Sequence, residues 1–257
     1  MLFGLLVILG FGGAFLSGLV GVGGAIVMIP LLLYVPPLLG LDDLGIKAVA
    51  GITIVQVFAA STVGFIGHRA SIDRSLLLAL GPAMVVASFV GALASEAVSP
   101  TVLTVVFALM ASGAATMMLA FRKRTVPETD GAIAFNVPGT VVAGTAVGLS
   151  AGLIGAGGAF FLIPVLLYGL RIPVRVTVGT SLAVVAASAT AGLLGKVATH
   201  QVDWVLALAL VLGALPGARA GSFVSRRTST DRLVAVLGAV IALVAVRVWL
   251  DVLTGTQ

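Results

Sequence analysis

The 257-residue chain contains no cysteine, so neither a disulfide framework nor a thiolate metal site is open to it. Charge is nearly as scarce. Only 9% of the residues are Asp, Glu, Lys or Arg, against about 25% in an ordinary soluble domain. With 60% hydrophobic residues and a mean hydropathy of +1.25, the composition excludes a water-soluble protein. No Asp, Glu or Lys falls deep within an apolar run, which argues against a carboxylate proton relay or an acidic cation site. The two histidines, His68 and His200, stand at segment ends and read as interfacial rather than as ligands or relays. No metal and no cofactor are therefore expected. The net charge of +5 does not point to nucleic acid, because the basic residues sit mostly in short loops, where they orient a chain in a bilayer.

What fills the sequence instead is apolar length. Leu2 to Val35 and Val137 to Leu170 carry no charge at all, and about 20 such residues suffice to span a hydrocarbon core. The N-terminus, MLFGLLVILGFGG, lacks the basic n-region of a secretory signal and runs on into this long stretch, so it reads as retained structure. Six shorter segments follow from the spacing of charges and turn residues: about Ile46 to Gly67, Ser75 to Ala97, Thr101 to Phe121, Val174 to Gly195, Trp204 to Val224 and Leu233 to Leu250. The polar stretch Arg122 to Gly131 lies near the centre and reads as a linker.

That placement invites a search for duplication. Gly18-LVGVGGAIVMIPLLL-Tyr34 aligns without gaps on Gly152-LIGAGGAFFLIPVLL-Tyr168. Further on, Gly51-Ile-Thr53 aligns with Gly179-Thr-Ser181, Gly64 with Gly192, Gly67 with Gly195, and Asp73 with Asp203. The chain accordingly divides into a first repeat over 1–121, a cytoplasmic linker over 122–135 and a second repeat over 136–257.

Charge then orients the two repeats. If all eight segments crossed once, six basic residues would face one side and seven the other. If the two long segments return to the side they entered, Arg69, Arg74, Arg122, Lys123, Arg124, Arg171, Arg175, Arg226, Arg227 and Arg232 share one face, with Lys47, Lys196 and Arg247 opposite. Only the second arrangement obeys the positive-inside rule. It inverts one repeat relative to the other and puts both termini outside. The expected fold is thus an all-α integral membrane protein of two inverted-topology repeats, each with one long glycine-broken segment, re-entrant or double-crossing, and three transmembrane helices. A 34-residue run would make a helix of about 51 Å against a core of about 30 Å, so a break is required. Glycine in a helix interior costs about 1 kcal/mol relative to alanine, which places the breaks at the mid-segment glycine clusters.

A new helix starting near Gly24 or Gly158 would leave bare N–H groups and a positive dipole end inside the membrane, a setting suited to anions. The candidate substrate-binding residues are therefore Gly21, Gly23, Gly24, Gly155, Gly157 and Gly158. Thr53, Gln56, Thr180 and Ser181 are candidates as hydrogen-bonding side chains at similar depth. Ser17, Ser150 and Arg219 are accessory candidates. The competing reading makes the glycines close-packing residues, and for Gly64, Gly67, Gly91, Gly192, Gly195, Gly217 and Gly221 that reading is preferred. Serine and threonine in membrane helices commonly bond back to their own helix, Gln56 aligns with Val184, and Arg219 can snorkel to the interface. Gly148-Leu-Ser-Ala-Gly152 matches the hydrolase G-x-S-x-G pattern, but the strand-to-helix elbow and the histidine partner are missing from the sequence, so no enzyme is expected.

The paired motifs Gly21-VGGAIVMI-Pro30 and Gly155-AGGAFFLI-Pro164 resemble the signature of the sulfite exporter TauE/SafE family, also called toluene sulfonate uptake permeases. The resemblance spans essentially the whole chain. It implies a bacterial or archaeal inner-membrane transporter of sulfite, an organosulfonate or a related sulfur anion, acting in a lipid bilayer by alternating access. Pro30, Pro164 and the pairs Gly51 to Thr53 and Gly179 to Ser181 carry the same pattern. A passive anion channel and a non-transporting subunit of a membrane complex are the alternatives, and a homo-oligomer is compatible with the sequence.

Overall fold

The computed structural model describes residues 1–20, 25–67, 71–120, 135–225 and 230–254, apart from some side chains near the ends of these stretches. Among the described residues the chain is helical throughout, with no strand. The helices are α1 (Leu2–Val20), α2 (Ala25–Leu38), α3 (Gly45–Gly67), α4 (Arg74–Ala94), α5 (Pro100–Ala120), α6 (Val137–Ile154), α7 (Ala159–Pro164), α8 (Val174–Ala198), α9 (Trp204–Ser225) and α10 (Thr230–Thr254). A π-turn over Val165–Gly169 continues α7. Six of the helices, α3, α4, α5, α6, α8 and α9, are long and apolar enough to cross a membrane.

Local chemistry sets several boundaries. The Asp73 carboxylate accepts from the Leu76 amide at 2.7 Å and starts α4. Asp203, its counterpart in the second half, accepts from Val205 and Leu206, both at 3.0 Å, and starts α9. Asn136 caps α6 in the same way, with Pro138 in its first turn. These side chains satisfy amides that have no partner inside the helix. The expected linker over 122–135 lies, up to residue 134, outside the described residues.

Both long segments are broken where glycine accumulates. In the second half α6 stops at Ile154 and α7 starts at Ala159. In the first half α1 stops at Val20 and α2 starts at Ala25, with the glycines between them outside the described residues. Each chain folds back after its break. A Cβ on Gly13 of α1 would lie 2.7 Å from the end of Met28 and 3.4 Å from Leu31, both early in α2, which only a helical hairpin allows. Likewise a Cβ on Gly158 would touch Val147 and Ala151 of α6, at 2.9 and 3.0 Å.

The two halves are clasped through each other. α1 packs on α9, and its counterpart α6 packs on α4. The contacts are backbone on backbone: a Cβ at Gly10, Gly213 or Gly217 would collide with the carbonyl of Leu210, Val7 or Phe11, and one at Gly148 or Gly152 with that of Met84 or Ser88. Glycine permits this approach, and the apolar neighbours gain dispersion contact from it. Matching positions rise together in both clasps, so α1 runs parallel to α9 and α6 parallel to α4. Between the clasps, α3 and α8 cross in opposite directions, because Gly64 meets Leu182 while Gly192 meets Ile54. Gly148 and Gly152 therefore serve as packing residues inside a helix.

Candidate functional site at the glycine turn

Gly155, Gly157 and Gly158 adopt left-handed backbone conformations, with φ of 72°, 62° and 74°. L-residues with a Cβ pay roughly 1–2 kcal/mol for this region, so the sequence reverses direction where glycine makes it cheap. Gly155 and Ala156 both return their amides to the Ala151 carbonyl, which closes α6. The buried amides of Gly157 and Gly158 find no acceptor among the described residues.

Two helices converge on this turn. A Cβ on Gly155 would strike the Ala50 carbonyl of α3, and one on Gly157 would strike Val57 of α3 and lie 3.4 Å from Val185 of α8. Val57 and Val185 occupy equivalent positions in the two repeats. Gly155 is thus level with the first turns of α3, and Gly157 with the middle of α3 and α8. Thr53 lies on the stripe of α3 marked by Ala50 and Val57, and Gln56 is one turn further on. Both side chains are buried, at 0% and 1% exposure, and Thr53 Oγ1 and Gln56 Oε1 have no hydrogen-bond partner among the described residues. Other hydroxyls behave differently. Thr62, Thr104, Thr140, Thr145, Ser150 and Thr190 all donate to a carbonyl four residues earlier in their own helix. An unpaired polar atom in such surroundings costs about 1–3 kcal/mol, which sets these two atoms apart from the other buried hydroxyls.

The remaining candidates are engaged elsewhere or lie apart. Ser181, on the α8 stripe leading to Val185, donates to the Val178 carbonyl at 3.1 Å. Thr180 Oγ1 accepts from the Asp73 amide at 3.0 Å and ties the start of α4 to α8. Ser150 is satisfied within α6 by the Ala146 carbonyl. Arg219 is exposed and lines a separate cavity of about 380 Å³ between α3 and α9, together with Ala60, Val63, Leu215 and Ser222. Gly21, Gly23, Gly24 and the side chain of Ser17 lie outside the described residues.

One expectation is overturned. Lys196, expected just beyond the end of its segment at Gly195, lies instead in the last turn of α8 and is wholly buried, at 0% exposure. Its ammonium donates to Ser95 Oγ at 2.6 Å, Gln201 Oε1 at 2.9 Å and the Leu153 carbonyl at 3.2 Å, so each of its three protons has an acceptor. Helix α8 continues to Ala198, three residues past Gly195, and that extension carries Lys196 inward. Asp251 is buried too, because α10 runs on past Leu250; its partner is Arg247, whose guanidinium also stacks over the Tyr34 ring of α2, 4.6 Å from its centre. The sequence signal for Lys196 was the uninterrupted helix-compatible run Val197-Ala198 that follows it. Leu153 is the last turn of α6, so Lys196 neutralises the negative end of the helix that leads into the glycine turn.

Comparison with known proteins supplies relatives along nearly the full length. The family profile described as Sulfite exporter TauE/SafE matches residues 6–248. A probable membrane transporter protein of Xylella fastidiosa (strain 9a5c) is 28% identical over 95% of this chain and 94% of its own length. The probable membrane transporter protein YunE of Bacillus subtilis is 25% identical, covering 95% of this chain and 96% of its own. A probable membrane transporter protein of the archaeon Methanocaldococcus jannaschii is 22% identical over 94% of this chain and 93% of its own. No solved structure matches the chain.

Proposed function

Because the chain belongs to the sulfite exporter TauE/SafE family, we propose that it moves a small sulfur-containing anion across the cytoplasmic membrane by alternating access between two inverted repeats. A multi-pass membrane transporter is the common ground: the relatives carry that description, and six helices have the length and apolarity to cross a bilayer. Inversion of the halves is supported by the opposed directions of α3 and α8, which are equivalent in the repeat, and by the fold-back after each glycine break. The arm after the second break, α7 with its π-turn, is about 16 Å long at 1.5 Å per residue, half of a bilayer core.

The observation that supports the site is a set of donors unpaired among the described residues: the amides of Gly157 and Gly158, in the turn that packs on Val57 of α3, and the Thr53 hydroxyl, one turn earlier on α3. An oxyanion accepts several hydrogen bonds at once, and charge-assisted bonds are roughly twice as strong as neutral ones. The α7 helix has only six residues, so the dipole contributes less here than the discrete donors do. Rocking of one clasp against the other would open this point to either side.

Purified protein in liposomes tests the reading. Saturable counterflow of sulfite or an organosulfonate is the expected result. Failure to move sulfite, sulfonate or thiosulfate under any imposed gradient would refute it, and non-saturating flux would make the protein a passive pore.

A further inference from the structure

Gln56, one turn along α3 from Thr53, differs in kind from the other candidate side chains. Its terminal amide offers both a donor and an acceptor, whichever way round the group is placed. The position is buried, and Oε1 is without a donor. An anion whose oxygens only accept would serve the amide's N–H groups and Thr53, yet leave the carbonyl oxygen stranded. The second repeat sharpens the point. There the equivalent residue is Val184, also 0% exposed, and the counterpart of Thr53, Ser181, is already satisfied by its own helix. Packing at this position therefore accepts an apolar side chain, and the first repeat places an amide there without a protein partner.

Charge points the same way. Thr53, Gln56, Val57, Val185, Gly157 and Gly158 are all neutral. Burial of a guest among neutral groups costs more the higher its charge, so a singly charged anion is tolerated where a dianion is not.

We propose that this site selects a singly charged oxyanion carrying its own hydrogen-bond donor, an O–H or N–H directed at Gln56 Oε1, over anions that only accept. The proposal rests on the transport reading given above. For sulfite it favours the hydrogen sulfite form over the dianion, and among organosulfonates it favours those with a hydroxyl or amino group beside the sulfonate. Gln56 then acts as a specificity residue through direct contact.

Competition against labelled sulfite in proteoliposomes at one fixed pH decides the matter, using hydroxymethanesulfonate and ethanesulfonate. These two bear the same charge and nearly the same size, and differ by an O–H in place of a methyl. The wild-type protein is expected to prefer hydroxymethanesulfonate by about tenfold or more, as sites built to hydrogen-bond a hydroxyl do. Gln56→Met should bring the two competitors to within about twofold, chiefly by weakening the hydroxylated one, since a single lost hydrogen bond of about 1.4 kcal/mol is a factor of ten. Equal competition in the wild type, which requires no variant to fold, overturns the proposal while leaving sulfite transport intact. Unchanged preference in Gln56→Met overturns it as well. If labelled sulfite does not move at all, the transport reading fails first and this one falls with it.

Discussion

At the scale of single residues, buried polar groups divide into those the fold pairs and those left unpaired among the described residues. Lys196 belongs to the scaffold: its protons serve three acceptors drawn from α4, α6 and the connection after α8. Lys196→Met keeps the length of the side chain and removes the donors. The Leu153 carbonyl then loses its donor, and Gln201 Oε1 keeps only Ser95. A destabilisation of about 1–3 kcal/mol is expected, the cost of leaving buried acceptors short of partners. Thermal unfolding in detergent reads it, and an unshifted midpoint would show that the ammonium holds nothing. Thr53 and Gln56 should behave in the opposite sense. Thr53→Val removes a hydroxyl that has no partner among the described residues, so it should leave the unfolding midpoint within about 0.5 kcal/mol of the wild type or raise it, while sulfite counterflow falls. These distinctions were not legible in the sequence. Every serine and threonine looks alike there, and whether a hydroxyl bonds back to its helix is decided by its rotamer and its neighbours. Lys196 is hidden for a related reason: Gly195 looks like the end of the apolar segment, yet α8 continues through it to Ala198.

At the scale of elements, glycine plays two parts that sequence alone only half separates. The breaks were readable because three glycines cluster within four residues and an apolar run of that length cannot remain one helix. The clasps were readable only as a general tendency to close packing; which helix each glycine admits depends on the tertiary fold. Substitution should distinguish the classes. Gly157→Ala combines φ of 62° with a Cβ driven into Val57, so it should cost more than about 2 kcal/mol and abolish counterflow. Gly12→Ala, in a helix and with nothing within 4 Å, should be neutral or stabilise by up to about 1 kcal/mol. Expression level and unfolding midpoint in detergent compare the two; a tolerated Gly157→Ala would mean that the turn is not under the constraint described.

At the scale of the whole molecule, the prediction concerns sidedness. The absence of native cysteine makes every introduced thiol a sole reporter. Asp42 precedes α3 and Arg171 precedes α8, positions that are equivalent in the repeat. With the halves inverted, an impermeant thiol reagent should label Asp42→Cys in intact cells, and Arg171→Cys only after the membrane is opened. Labelling of both from one side would dismantle the inverted arrangement and, with it, the rocking motion. Arithmetic on basic residues argues for that inversion, because loop charge is a property of the sequence; the exchange of partners between halves was not legible there, because nothing in a linear repeat says that α1 will choose α9 over its own neighbours.

That exchange of partners sets a timetable for biogenesis. Helix α1 precedes α9, which must lie against its glycine-smoothed face, by roughly 200 residues, about 10–40 s at ordinary rates of synthesis. The clasp between them therefore cannot close until most of the chain has been made.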